Sequence, residues 1–353
     1  MFDPKYTITH NLLENIKRID NLVNELNYKR FPNVVLLEFE RVAREVSTYA
    51  STSIEGNPLP LTEVKKVLKS KPQHIRDSEK EVINYNQALK ELNELLRTSP
   101  SDKEIEKDKV EISLELILKI QKQVTEGLLL THESGNLRQR PVVVNDSRSG
   151  QVIFLPPDVQ DVKPMMQDLI FFMNENKGRI DSLILAGIFH KQMVLIHPFI
   201  DGNGRTTRLA TKVLLAQMNL NTFNLFSFEN YYNKNVTKYF QSVGELGNYY
   251  ELKDSIDFTS WLEYFTVGII DELLRVQKLL SEVGISPETQ LQEYHLKMLD
   301  YIKENGFVTN RDYAKLSDRA KATRTLDFQK LMELGLIERR GKGRATYYVL
   351  KTQ

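Results

Sequence analysis

Apolar residues run almost unbroken from Ser182 to Ile196 (Ser-Leu-Ile-Leu-Ala-Gly-Ile-Phe-His-Lys-Gln-Met-Val-Leu-Ile). Fifteen residues are too many for a typical buried strand, so the run predicts a helix buried on all sides. Thr206 to Met218 reads as a second helix and Asn33 to Tyr49 as a third. Two short β-rich runs, Val142–Val144 and Val152–Leu155, flank a polar turn with Gly150, which is a hairpin signal. Polar breaks fall at Thr98-Ser-Pro-Ser-Asp-Lys-Glu104 and Gly284-Ile-Ser-Pro287. After the second break come helical patterns at Glu288–Asn305, Thr309–Lys315 and Ser317–Leu334, then strand, glycine turn and strand over Leu336–Leu350. The expectation is a mainly α chain in three parts: a helical region at 1–107, a helical core with a β-hairpin at 108–285, and a small helix-and-hairpin domain at 286–353.

Composition narrows the class without changing this layout. The chain has 353 residues, 41% hydrophobic and 27% charged, with a net charge of +1, which is ordinary for a globular protein and gives no whole-molecule field for nucleic acid or membrane. Cysteine is absent, so disulfides and thiol chemistry are excluded and a reducing cytoplasm is expected. The first residues show no basic stretch followed by an apolar one, and no uncharged apolar run is long enough for a membrane span.

The chemistry concentrates where the two central helices meet, in His197-Pro-Phe-Ile-Asp-Gly-Asn-Gly-Arg-Thr-Thr-Arg208. His197 ends one helix and Gly202-Asn-Gly204 opens the next. Amides at a helix start lack intrahelical partners and, with the helix dipole, favour an anion. Gly202 and Gly204 permit close backbone approach. Arg205 and Arg208 share a helical face and can grip one polyphosphate. Asp201 is a single carboxylate beside that cradle, the usual way of holding Mg²⁺ between protein and phosphates. His197 titrates near neutrality and can take a proton from a hydroxyl.

This run resembles the Fic signature, His-Pro-Phe-x-Asp/Glu-Gly-Asn-Gly-Arg-x-x-Arg, without a departure, and the resemblance extends over roughly residues 45–270. It implies a Fic-type helical core with a β-hairpin flap and transfer of AMP from ATP to a Ser, Thr or Tyr hydroxyl of a target protein or of the chain itself. By resemblance, His197 is the base, Asp201 holds Mg²⁺, and Asn203, the Gly202 and Gly204 amides and Arg205 hold the α- and β-phosphates. Arg208 would meet the γ-phosphate, and Tyr239 would neighbour the adenine. Doc-type kinases of the same family carry Lys at the Gly204 position, so Gly204 favours AMP transfer.

Upstream, Ser51-Thr-Ser-Ile-Glu-Gly-Asn57 reads by itself as a helix end with a glycine cap. Beside the signature it resembles the family's inhibitory motif, Ser/Thr-x-x-x-Glu-Gly/Asn, with Ser51 and Glu55 in register. That implies a Glu55–Arg208 pair occupying the γ-phosphate seat. A lone hairpin would have free edges able to pair with an extended target segment, and Gly135-Asn-Leu-Arg138 resembles the family's approach to that flap.

The last domain resembles a winged helix. From Gly306 onward it carries eleven Lys/Arg against five Asp/Glu. Arg319, Lys321 and Arg324 are expected on its third helix, and Arg340 and Lys342 on its wing, where they would suit a DNA backbone; the rival reading is protein contact or a homodimer. None of the other histidines has a ligand partner at metal-site spacing. Three alternative functions stand beside AMP transfer: removal of AMP from a modified protein by the same site, an ATP-responsive DNA-binding regulator, and a partner-binding module of a toxin–antitoxin pair, whose separate antitoxin a built-in Glu55 would make unnecessary.

Overall fold

The computed structural model describes residues 2–28, 33–70, 75–96, 112–145, 150–217, 220, 224–284, 291–333, 336–341 and 343–351. By contact density the chain divides into one unit of Met1–Tyr28 with Arg41–Val276 and another of Lys29–Glu40 with Gln277–Gln353.

Helices dominate. The first part contains α1 (His10–Tyr28), α2 (Asn33–Ile54), α3 (Leu61–Lys69) and α4 (Asp77–Leu95). After α5 (Leu114–Val124) come strands β1 (Val144–Asn145) and β2 (Val152–Leu155). There follow α6 (Val159–Glu175), α7 (Ser182–Ile196), α8 (Asn203–Gln217), α9 (Glu229–Lys234) and α10 (Val236–Val243). The short strand β3 (Gly247–Asn248), α11 (Tyr249–Leu252) and the long α12 (Thr259–Gly284) complete this part.

The central pair is α7 and α8. Helix α7 is capped by the Asp181 carboxylate, which accepts from Leu183 N at 2.8 Å. Nearly all its side chains are buried, as its continuous apolar run requires. Even His190 is enclosed, by Phe228, Tyr232, Tyr239, Trp261 and Phe265. Its ring nitrogens meet Thr211 Oγ1 and Tyr239 Oη, each at 3.0 Å, and burial drives its pKa well down. The ring is therefore a neutral core group.

The hairpin is not solitary. Strands β1 and β2 are antiparallel, with Val144 opposite Phe154, and β3 adds a parallel neighbour to β2, with Phe154 opposite Gly247. The sheet order is β1-β2-β3, so β2 has no free edge and the outer edge of β1 remains. The sequence gives no signal for β3, because two residues carry no periodicity. The turn at 146–149 lies outside the described residues.

The C-terminal unit holds α13 (Glu293–Asn305), α14 (Asn310–Leu316), α15 (Lys321–Glu333) and an antiparallel hairpin of β4 (Ile337–Arg340) and β5 (Tyr347–Leu350). This is the element order that the pattern predicts. Its core is Met298, Leu299, Ile302, Val308, Tyr313, Phe328, Leu331 and Ile337, with Tyr348 stacked on Phe328 at 4.0 Å. Among the described residues no helix is long and apolar enough to cross a membrane.

Candidate active site

His197 closes α7 in the left-handed conformation, φ 49° and ψ 58°, with its N–H donating to Met193 O at 3.1 Å. A non-glycine residue there is uncommon and needs outside support. Arg138 supplies it, with Nε donating to His197 O and its backbone N–H to Pro198 O, both at 2.9 Å. The ring's Nδ1 lies 3.3 Å from Val194 O. A nitrogen facing a carbonyl carries the hydrogen, which leaves Nε2 with a lone pair able to accept a proton. Burial lowers the pKa of His197, so at neutral pH the ring is unprotonated.

The connection to α8 is braced from inside. The Asn203 amide donates to Phe199 O and accepts from Phe199 N, both at 2.9 Å. Its side chain thus braces the loop from both ends of the amide. Gly202 has φ 81°, and a Cβ there would come within 2.8 Å of Thr125 Cγ2. The first turn of α8 closes at Thr206 N to Gly202 O, 2.9 Å, which leaves the amides of residues 203–205 as the helix's anion-facing start. Gln121 Nε2 holds Asp201 O at 3.1 Å.

Asp201 Oδ1 accepts from Gly202 N at 2.6 Å, and its carboxylate pairs with Arg205 NH2 at 2.9 Å. Its side chain is 53% exposed. Among the described residues no three His, Asp or Glu side chains gather as a metal site. One accessible carboxylate beside an anion cradle fits a Mg²⁺ that completes its shell with substrate phosphates and waters.

Both arginines meet remote carboxylates. Arg208 is fully buried. Its NH2 lies 2.7 Å from Glu55 Oε1 and 2.8 Å from Ser51 O, and its Nε donates to Ser51 Oγ at 2.8 Å. Burial opposes the Arg208 charge, and the Glu55 carboxylate more than restores it, so the guanidinium stays charged. Helix α2 runs to Ile54, five residues beyond the predicted Tyr49, and thereby carries Ser51 on its last turns with Glu55 just past its end. The Glu55 carboxylate lies directly on Gly204, where a Cβ would come within 2.1 Å of Oε1. Arg205 NH1 lies 2.7 Å from Glu81 Oε1 on α4, and Asn57 Nδ2 reaches the other Glu81 oxygen at 2.6 Å. Glu81 has no motif around it, and only its place in the fold reveals it.

Tyr239 is 1% exposed, stacked on Tyr232 at 4.7 Å with its hydroxyl on His190. Burial pushes its pKa up to about 12. It is part of the aromatic core.

Of the basic residues expected to meet DNA, Lys321 and Arg324 lie on α15 and Arg340 on β4, while Arg319 is placed differently. Helix α15 starts at Lys321, so Arg319 precedes it. Arg319 pairs with Asp327 at 2.7 Å and lies 3.7 Å from the centre of the Tyr294 ring. Arg324 Nε donates to Asn310 Oδ1 and its NH1 to Arg319 O, both at 3.0 Å, and Arg340 pairs with Glu338 at 2.6 Å. Lys321 is exposed, and Lys342 lies outside the described residues. His295, which shows no partner in the sequence, meets Asp327 at 3.2 Å.

The family signature described as Fic/DOC family matches residues 111–215. Protein adenylyltransferase fic-1 of Caenorhabditis elegans is 30% identical over 205 residues, 57% of this chain and 37% of that protein. Protein adenylyltransferase Fic of Drosophila grimshawi is 31% identical over 187 residues, 52% of this chain and 35% of that protein. The chain thus spans little more than a third of the length of these curated relatives. Among solved structures, a Fic family protein from Desulfovibrio desulfuricans aligns with a TM-score of 0.66 at 20% identity over 100% of this chain and 99% of that one. Fic-1 (residues 134–508) of C. elegans aligns with a TM-score of 0.59 at 23% identity over 77% of this chain and 73% of that one. These two share the fold. Residues 111–215, which carry the unbroken run from His197 to Arg208, are thus similar to the Fic/DOC family, and the helical core around them shares the fold of these solved structures.

Proposed function

We propose that the chain is a self-inhibited protein adenylyltransferase, moving AMP from ATP to a Ser, Thr or Tyr hydroxyl. The Glu55–Arg208 pair, lying on Gly204 at the start of the α8 anion cradle, carries this reading. A carboxylate bound there takes up the guanidinium that would clamp a terminal phosphate. With Glu55 withdrawn, Arg208 and Arg205 face the phosphates and the target hydroxyl approaches the α-phosphorus. The oxygen–phosphorus bond forms as its proton passes to His197 Nε2, and pyrophosphate leaves with the electrons of the broken bond. Asp201 would hold Mg²⁺, which supplies neutralisation of the phosphate charge. Gly204 leaves space where a side chain would crowd a β-phosphate. The target segment would add to the outer edge of β1, one of the two edge strands of the sheet.

The same arrangement, with the Glu55 carboxylate kept in the cradle, could orient a water and remove AMP from a modified protein; incubation with an AMP-bearing target separates the two directions. We read the C-terminal unit as a winged helix that contacts protein, since Arg319, Arg324 and Arg340 are engaged within it.

The decisive experiment supplies ATP labelled at the α- or the γ-phosphate to the wild type, Glu55→Gly and Glu55→Gly/His197→Ala. Protein-bound α label is expected in Glu55→Gly and absent in the double variant. Incorporation of γ label instead would mean phosphate transfer, and absence of any label across a lysate and the chain itself would end the reading.

A further inference from the structure

Arg138 is 2% exposed, and all its guanidinium bonds go to backbone carbonyls of other residues. Nε donates to His197 O, NH2 to Pro157 O and NH1 to Arg140 O. These carbonyls belong to three segments: the end of α7, the chain just after β2, and the chain just before β1. The backbone N–H of Arg138 also donates to Pro198 O. One planar fork thus joins both ends of the flap to the turn that carries the base. Only arginine has enough donors in fixed geometry for this. Burying a cation without a carboxylate in contact is costly, and the three carbonyl acceptors offset part of that cost. The left-handed turn at His197 turns that residue's carbonyl away from the helix, and Arg138 is what satisfies it there.

Resting on the transfer reading, we propose that Arg138 is a positioning residue: it fixes the base at His197 and the target-binding flap in one frame, so that a hydroxyl seated on β1 meets Nε2. The charges facing the His197 ring are Arg138, which lowers its proton affinity, and Glu55 and Asp201, which raise it. Arg138 therefore both aims the base and helps keep it free of a proton.

The test compares Arg138→Gln and Arg138→Lys in the Glu55→Gly chain. ATP·Mg²⁺ affinity should stay within about twofold, because Arg138 touches no phosphate-facing group. The single-turnover rate of self-modification from α-labelled ATP should fall at least tenfold in Arg138→Gln, and its acid limb should move to higher pH. Arg138→Lys should restore the acid limb, since the charge returns, but not the full rate, since the fork does not. Proportional loss of melting temperature, ATP affinity and rate would reduce Arg138 to a core brace, and an unchanged rate would remove it altogether. Should Glu55→Gly itself transfer nothing, the transfer reading fails separately. The coupling is then read without activity: Arg138→Gln should shift the His197 ring titration by NMR and raise amide exchange over 142–145 and 150–155 together. Movement of one without the other overturns the proposal.

Discussion

Arg208 and Arg319 each lie 2.7 Å from a carboxylate, yet the two pairs have opposite designs. In the C-terminal unit the carboxylate is the centre. Asp327 accepts from Arg319 and Tyr313 and meets His295, so α13, α14 and α15 all close on one buried acid. In the cradle the arginine is the centre. Arg208 is enclosed and held by Ser51 as well, while the Glu55 carboxylate sits past a helix end, 27% exposed, with Arg208 as its one ion-pair partner among the described residues. A carboxylate with one partner and a route to water can be displaced by a phosphate; one with three partners cannot. On the proposed reading the displaceable carboxylate is a switch, and the enclosed one is a brace.

The sharpest break of this comparison is the base itself. His197→Ala in the Glu55→Gly chain should cost about 10²–10⁴ in transfer rate, the usual worth of a general base, with ATP affinity unchanged. Label transfer at an undiminished rate would take His197 out of the mechanism. Because burial lowers its pKa, the acid limb of the rate in the unmodified Arg138 chain should lie below about 6.5, the ordinary histidine value. His197 works unprotonated, so the rate is full above that limb and falls as pH drops through it.

Next comes the switch. A charge-assisted hydrogen bond is worth about 1.5–3 kcal/mol, so Glu55→Gly should raise transfer roughly 10- to 100-fold. Arg208→Ala breaks the same pair but also removes the phosphate clamp, and should be inactive alone or with Glu55→Gly. If both single variants activate alike, the pair is no lock and Ser51–Gly56 is only a capped helix end.

How far each design could be seen in the sequence follows from distance along the chain. The run from His197 to Arg208 is contiguous, so local pattern reveals it; the Asp201–Arg205 pair appears only in the structure. Helix α7 is equally plain, because burial on all sides leaves an apolar run. Glu55 and Arg208 are brought together by the packing of α2 on α8; the resemblance points to that pair, periodicity does not. Glu81 and the carbonyl-binding task of Arg138 leave no local trace, since their partners are set by tertiary packing. Arg319 falls inside the helical pattern Ser317–Leu334, and a count of basic residues ignores their partners. The real helix starts two residues later, and Asp327 claims the guanidinium.

The brace predicts a stability effect. Asp327→Asn should destabilise the C-terminal unit by about 2 kcal/mol, below the 3–5 kcal/mol of a fully enclosed pair because Arg319 keeps access to water. The lone tryptophan, Trp261, belongs to the other unit. Amide exchange over α13–α15 is therefore the measurement, with faster exchange expected there and transfer by the Glu55→Gly chain unaffected. Unchanged protection would show that Asp327 is no hub.

The smallest effect belongs to Arg340. Its pair with Glu338 spans two residues of one strand, with the side chains 53% and 36% exposed. Such pairs contribute about 0–1 kcal/mol, because solvent screens the attraction and ordering two long side chains costs entropy. Arg340→Ala should therefore change the stability of the C-terminal unit by no more than about 0.5 kcal/mol. The same substitution sharpens the question of DNA. A phosphate contact would appear as salt-sensitive binding that weakens on all sequences alike when the charge is removed. A wing arginine already paired with Glu338 should leave binding to a random duplex at low ionic strength undetectable, before and after substitution. A salt-sensitive affinity in the intact chain that drops in Arg340→Ala would show that phosphate displaces Glu338. Arg340 would then have the single-partner, water-accessible design of the cradle, on the opposite charge.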